Sequence, residues 1–160
     1  MEYIQVLIFG LSLGGVYALM ASGLTLIFGV MNIVNLAHAA FVVVASYMAF
    51  GLFSGLGIDP LLSIVVTTPV LFILGALAYR LLFAGITGST RFVESTVLLS
   101  FALAMVLEGL LSFFFTGIYR STTPGYATET IQMGPLYFPE GQFYATLVSI
   151  LLLVGLYLFL

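Results

Sequence analysis

An all-helical bundle of about five membrane spans, broken or re-entrant near residues 31–40, is the fold class this sequence predicts. Three observations carry that prediction. Of 160 residues, 62% are hydrophobic and 6% charged, against about a quarter charged in soluble domains. The apolar residues come in long runs, and crossing about 30 Å of hydrocarbon takes about 20 helical residues. A polar interruption, Met31-Asn32-Ile33-Val34-Asn35-Leu36-Ala37-His38, then separates two of those runs.

Span one covers Tyr3 to about Val30, more than a straight crossing needs, so it must tilt, break or project. Gly10, Gly14, Ala18 and Ser22 recur at every fourth position, with Gly15 and Gly23 beside them. Such small-xxx-small rows let helix backbones approach closely where lipid gives no hydrophobic drive to associate. These residues are therefore the expected helix-packing face.

The interruption follows. Asn32, Asn35 and His38 lie three residues apart, within a third of a helix circumference if the segment is helical. Hydrocarbon leaves amide and imidazole groups unsatisfied at a cost of roughly several kcal/mol each. Two readings fit: a broken membrane helix offering donors and acceptors to a polar solute, as in transporters, or a short interfacial loop with His38 wetted at its mouth.

Span two runs from about Ala39 to Leu56, and Gly55-Leu56-Gly57-Ile58-Asp59-Pro60 ends it with turn chemistry. Span three, Leu61 to Phe83, holds Thr67, Thr68 and Pro69. Pro69 lacks an N–H and frees the Val65 carbonyl, which predicts a kink with neighbouring hydroxyls able to satisfy the loose group. The connector Ala84 to Glu94 carries Arg91 and Glu94. Span four, Ser95 to about Gly117, has Ser100, Ala104, Glu108, Ser112 and Thr116 in a four-residue row, expected to face other helices, with Leu103, Val106 and Leu110 expected to face lipid. A polar connector, Ile118 to Gln142, is too broken to cross, and span five is Phe143 to Leu160. Arg80 and Arg91 flank one connector and Arg120 the next, so the positive-inside rule places the first in the cytoplasm and the second outside.

Glu108 is the remaining candidate, because an ionisable group deep in a span costs about 2.5 to 3.5 kcal/mol on insertion scales. It fits proton transfer, cation attraction or a gate, but with no Lys or Arg at comparable depth the favoured reading is a carboxyl that joins span four to a neighbour through hydrogen bonds. The chemistry excluded is broader. No cysteine and one histidine leave no metal-ligand set, and no base and orienter accompany the scattered serines, so no catalytic constellation is expected. The absence of G-x-x-x-x-G-K-[ST] argues against ATP hydrolysis by this chain. A net charge of −3 with three arginines excludes a basic nucleic-acid surface. No cofactor is expected.

Gly10-Leu11-Ser12-Leu13-Gly14-Gly15-Val16-Tyr17-Ala18-Leu19, then Ala21-Ser22-Gly23-Leu24-Thr25-Leu26-Ile27-Phe28-Gly29-Val30, then Met31 to His38, closely resembles the opening of the ABC-type branched-chain amino acid permeases. Leu98-Leu99-Ser100-Phe101-Ala102-Leu103 to Thr116-Gly117 is similar to a later span of that family. The resemblance implies a multi-pass permease subunit of the cell (inner) membrane, importing branched-chain amino acids or related small amide or urea-like solutes. It also implies a sister permease subunit, ATP-binding cassette ATPase subunits and an external solute-binding protein as partners. Where the family usually has a glycine after the histidine and often a polar residue next, this chain has Ala39 and Ala40. Residues 1–160 are expected to form a single transmembrane domain resembling about the first half of a family member, ending before the cytoplasmic contact with the ATPase. A self-associating channel or proton-conducting subunit using His38 and Glu108 is the alternative that the residues alone leave open.

Overall fold

The computed structural model describes residues 2–133 and 136–160. Among them are five helices long and apolar enough to cross a membrane: α1 (Glu2–Met31), α2 (His38–Leu56), α3 (Ile64–Ala78), α4 (Phe92–Phe115) and α5 (Glu140–Phe159). The expected all-α, multi-span architecture with its break after Met31 is present. The chain divides into two compact units, one of residues 1–26 and 123–160, the other of residues 27–122.

In the second unit α2 packs against both α3 and α4. Its buried residues are few and small or hydroxylic: Ile33, Ala37, Ala40, Ser63, Thr67, Thr96 and Ser100, with Phe83 the largest. Outward faces remain apolar, as lipid or further helices require. Helix α2 ends at Gly57, whose φ of 68° is left-handed, and the Gly57 and Ile58 amides donate to the Phe53 and Leu52 carbonyls. That is the glycine stop expected from the sequence.

Three boundaries in this unit differ from the sequence reading. Residues Leu61 to Ser63 form a turn and α3 starts at Ile64, because Asp59 and Pro60 organise the preceding backbone. Beyond Ala78 the helix widens into a π turn, Tyr79–Phe83, and closes in a 3₁₀ turn, Ala84–Ile86, so the span extends past Phe83. Helix α4 begins at Phe92 instead of Ser95. Ser89 accepts the Arg91 amide just before it, and Glu94 falls in the first turn, where a carboxylate suits the helix dipole. Helix α3 runs through Pro69, and the Thr67 hydroxyl donates to Ile64, not to the Val65 carbonyl that proline frees.

The other unit pairs the first part of α1 with an antiparallel two-stranded ladder, β1 (Thr130–Met133) and β2 (Leu136–Pro139), in which Ile131 faces Phe138 and Gln132 faces Tyr137. The sequence reading left this connector irregular; Pro135, one of its prolines, lies outside the described residues. Strand β2 is fixed by Gln5, whose side-chain amide donates to the Tyr137 carbonyl and accepts from its N–H at 3.1 Å. Helix α5 starts three residues earlier than expected, at Glu140, whose amide donates to the Glu129 carbonyl. Phe138 then packs edge-on against both Phe9 and Phe143.

Candidate functional site

The interruption between α1 and α2 is where the backbone leaves its helical pairing. Asn32 adopts φ 54° while its amide still donates to Phe28, closing α1 with a left-handed residue. Asparagine tolerates that region better than most side chains. Ile33 to Asn35 then lack helical pairing, and Leu36 and Ala37 turn the chain into α2.

An interrupted helix leaves peptide groups that must find other partners. The Asn35 side-chain oxygen accepts the Ala37 amide at 3.1 Å, and the Asn35 carbonyl accepts that of His38. The rest comes from α4. Thr96 Oγ1 accepts the Val34 amide at 3.4 Å, and Ser100 Oγ accepts the Leu36 amide at 3.0 Å. The Ser100 hydroxyl also has the Val34 carbonyl at 3.0 Å and the Val97 carbonyl at 3.1 Å as acceptors for its single proton. Thr96 and Ser100 stand one turn apart on α4, and both have 0% exposure. Ile33 and Ala37 seal the junction at 3% and 0% exposure. A pair of hydroxyls on one rigid helix thus substitutes for the missing helical pairing.

This corrects the expected helical polar face. Asn32, Asn35 and His38 do not share one, because the segment that would align them is not helical. Asn32 is exposed at the end of α1, Asn35 caps the turn, and His38 opens α2 half-buried. Asn35 also lines a cavity of about 420 Å³ whose wall includes Met31, Ile33, Phe41, Phe83 and Leu103. Ala40 is buried within α2's first turn, so no glycine bend is made after His38.

Glu108 lies two turns beyond Ser100 on α4 and is exposed, as is Ser112. The four-residue row is covered at Ser100 and half-covered at Ala104, and no further. Val106 and Leu110 are exposed, whereas Leu103 lines the cavity. Thr96, absent from the sequence reading, is the next member of the same row toward the amino end; its spacing was the available signal.

In the other unit, Gly10 and Gly14 are exposed, with open space where a Cβ would stand, and Gly15 meets only the Thr146 methyl at 3.9 Å. Ala18 is exposed and the Ser22 hydroxyl donates to Leu19 in its own helix. Gly10, Gly14, Gly15 and Ala18 line one side of an apolar groove of about 1010 Å³, with Leu147 and Ile150 of α5 on the other.

Five long apolar helices, each able to cross a membrane, make this a multi-pass membrane protein. The chain belongs to the family of branched-chain amino acid transport system permease components, whose model matches residues 6–160. It is 31% identical over 148 residues to a probable branched-chain amino acid transport permease protein LivH of Methanocaldococcus jannaschii, covering 89% of this chain and 46% of that protein. It is 33% identical over 119 residues to the high-affinity branched-chain amino acid transport system permease protein BraD of Pseudomonas aeruginosa, covering 62% and 39%. To the Escherichia coli permease protein LivH it is 35% identical over 60 residues, 36% and 20% of the two chains. The chain therefore spans less than half the length of these curated relatives. No solved structure matches it.

Proposed function

We propose that this chain forms part of the membrane pathway of an ABC-type importer for branched-chain amino acids, and that the junction from Asn32 to His38 borders the solute's route. The observation carrying this reading is irregular backbone between two spans, hydrogen-bonded by buried hydroxyls of α4 and bordering a cavity, an arrangement like that of the discontinuous helices of transporters. The cavity wall is aliphatic and aromatic with one amide, Asn35, which suits a branched apolar side chain carried on a polar head. His38 and Asn32 flank the turn, and Glu108 stands further along α4 as a contact for a sister permease or a passing charge. ATP hydrolysis belongs to separate ATPase subunits, delivery to an external solute-binding protein, and the assembly sits in the cell's inner membrane.

Reconstitution of the permease complex containing this chain, with its ATPase and binding protein, tests the reading. Leu103→Trp, which fills the cavity, is expected to lower ATP-dependent leucine uptake at least about tenfold while assembly and basal ATPase rate hold, whereas Leu110→Trp on the exposed face leaves uptake near the parent level. Undiminished uptake by the Leu103 variant would remove the cavity from the pathway. Failure of any ATPase to associate would remove the importer.

A further inference from the structure

A second site lies at the far end of α2 and α4 and owes nothing to the junction. The Arg120 guanidinium carbon sits 5.4 Å from the Phe50 ring centroid and 6.0 Å from that of Phe115, within cation–π range of both. Phe115 is itself stacked on Tyr47, with centroids 4.3 Å apart and planes 29° apart. Two rings from two helices therefore fix the position of a residue in the irregular connector. They hold its face and leave its edge open: a guanidinium carries five N–H donors in its plane, and Arg120 is exposed.

Beside it lies a cavity of about 240 Å³ lined by Val43, Ser46, Tyr47, Phe50, Tyr119 and Arg120. Val43, Tyr47 and Phe50 recur at helical spacing along one face of α2, so the cavity follows that helix for about 10 Å. Along α2 the wall is formed by the Val43 side chain and the Tyr47 and Phe50 rings, with the Ser46 hydroxyl hydrogen-bonded to the Val42 carbonyl at 3.0 Å, while Tyr119 and Arg120 make its polar end. A cationic mouth beside one aliphatic and two aromatic side chains of α2 matches a molecule with an anionic head and a hydrocarbon tail. A soluble oxyanion would use the mouth alone. Phe50 and Phe115 lie in the closing turns of their helices, and Tyr119 beyond them is 90% exposed, so arginine and aromatic rings gather at the depth where headgroups meet hydrocarbon.

We infer that this groove binds a phospholipid, with the phosphate on the Arg120 guanidinium and an acyl chain along Val43 and Tyr47. Arginine holds phosphate through paired, charge-assisted hydrogen bonds, and the rings that hold its face orient its edge for them.

Native mass spectrometry of the detergent-purified permease complex tests this, with phosphatidylglycerol, diacylglycerol and inorganic phosphate as probes. Arg120→Gln is expected to weaken phosphatidylglycerol retention at least about tenfold, the loss of one charge-assisted hydrogen bond, while Arg120→Lys weakens it less and Arg80→Gln leaves it unchanged. Diacylglycerol, lacking phosphate, should bind parent and Arg120→Gln alike. Should Arg120→Gln fail to assemble, Val43→Trp keeps the cation and blocks the groove, and is expected to lose phosphatidylglycerol to the same degree. Retention unchanged in either assembled variant overturns the inference. So does displacement of phosphatidylglycerol by millimolar inorganic phosphate, which would assign the mouth to a soluble oxyanion.

Discussion

Two helix breaks in the same unit, Asn32 to Ala37 and Gly57 to Ser63, solve one problem in opposite ways. The second is closed by its neighbours in sequence. Gly57 supplies the left-handed stop, Asp59 Oδ1 accepts the Leu61 amide at 2.8 Å, the Asp59 carbonyl accepts that of Ser63, and the Ser63 hydroxyl donates to Pro60. The first depends on Thr96 and Ser100, 62 to 66 residues away. A locally closed break keeps its shape whatever packs on it. One closed by a remote helix holds only while that helix is in place, so any shift of α4 is transmitted directly to the junction backbone.

Ser100→Ala should produce the largest effect. It strips an acceptor from the Leu36 amide and a donor from the Val34 carbonyl at a fully buried hydroxyl, at about 1–3 kcal/mol for each group left unpaired. Reversible unfolding in mixed micelles should register roughly 2–4 kcal/mol, and hydrogen exchange at Leu36 should accelerate. An intermediate effect is expected where each break uses a left-handed residue. Asn32→Val at φ 54° and Gly57→Val at φ 68° should each cost about 1–2 kcal/mol in the same assay, with Asn32→Gly near neutral. Similar losses at the two sites would show that backbone strain is shared and only the hydrogen bonding differs. The smallest effect belongs to Asp59→Ala, at most about 1 kcal/mol, because the half-buried turn lets water replace the lost acceptor. If that substitution proved as costly as Ser100→Ala, the distinction between local and remote closure would collapse.

How much of this was legible follows the same division. Apolar run length located every span, because the hydrocarbon thickness fixes the number of helical residues needed whatever they pack against. The Gly57 and Asp59-Pro60 break was readable because its chemistry is contained within a few residues. The place of the Asn32 to His38 interruption was readable as well, since two amides and a histidine have few uses in lipid. Its conformation was not. Equal spacing suggested one helical face, and the structure instead spends Asn32 on a left-handed stop and Asn35 on the Ala37 amide. The β1–β2 ladder was hidden too, because its strands are four residues each in a proline-broken connector, and its anchor on Gln5 joins residues 132 positions apart.

The sequence by itself determined the helical class, the number of spans and the position of the break, all properties of local composition against a fixed hydrocarbon thickness. Only the tertiary structure decided which hydroxyls serve the break. Ser46, Ser54 and Ser149 donate back to carbonyls of their own helices, and Thr96 does the same to Val93 while accepting the Val34 amide. A hydroxyl in a membrane helix always has that local acceptor four or three residues behind it. Its second hydrogen bond depends on which backbone the packed helix brings within reach, and residue spacing along one helix carries no record of that.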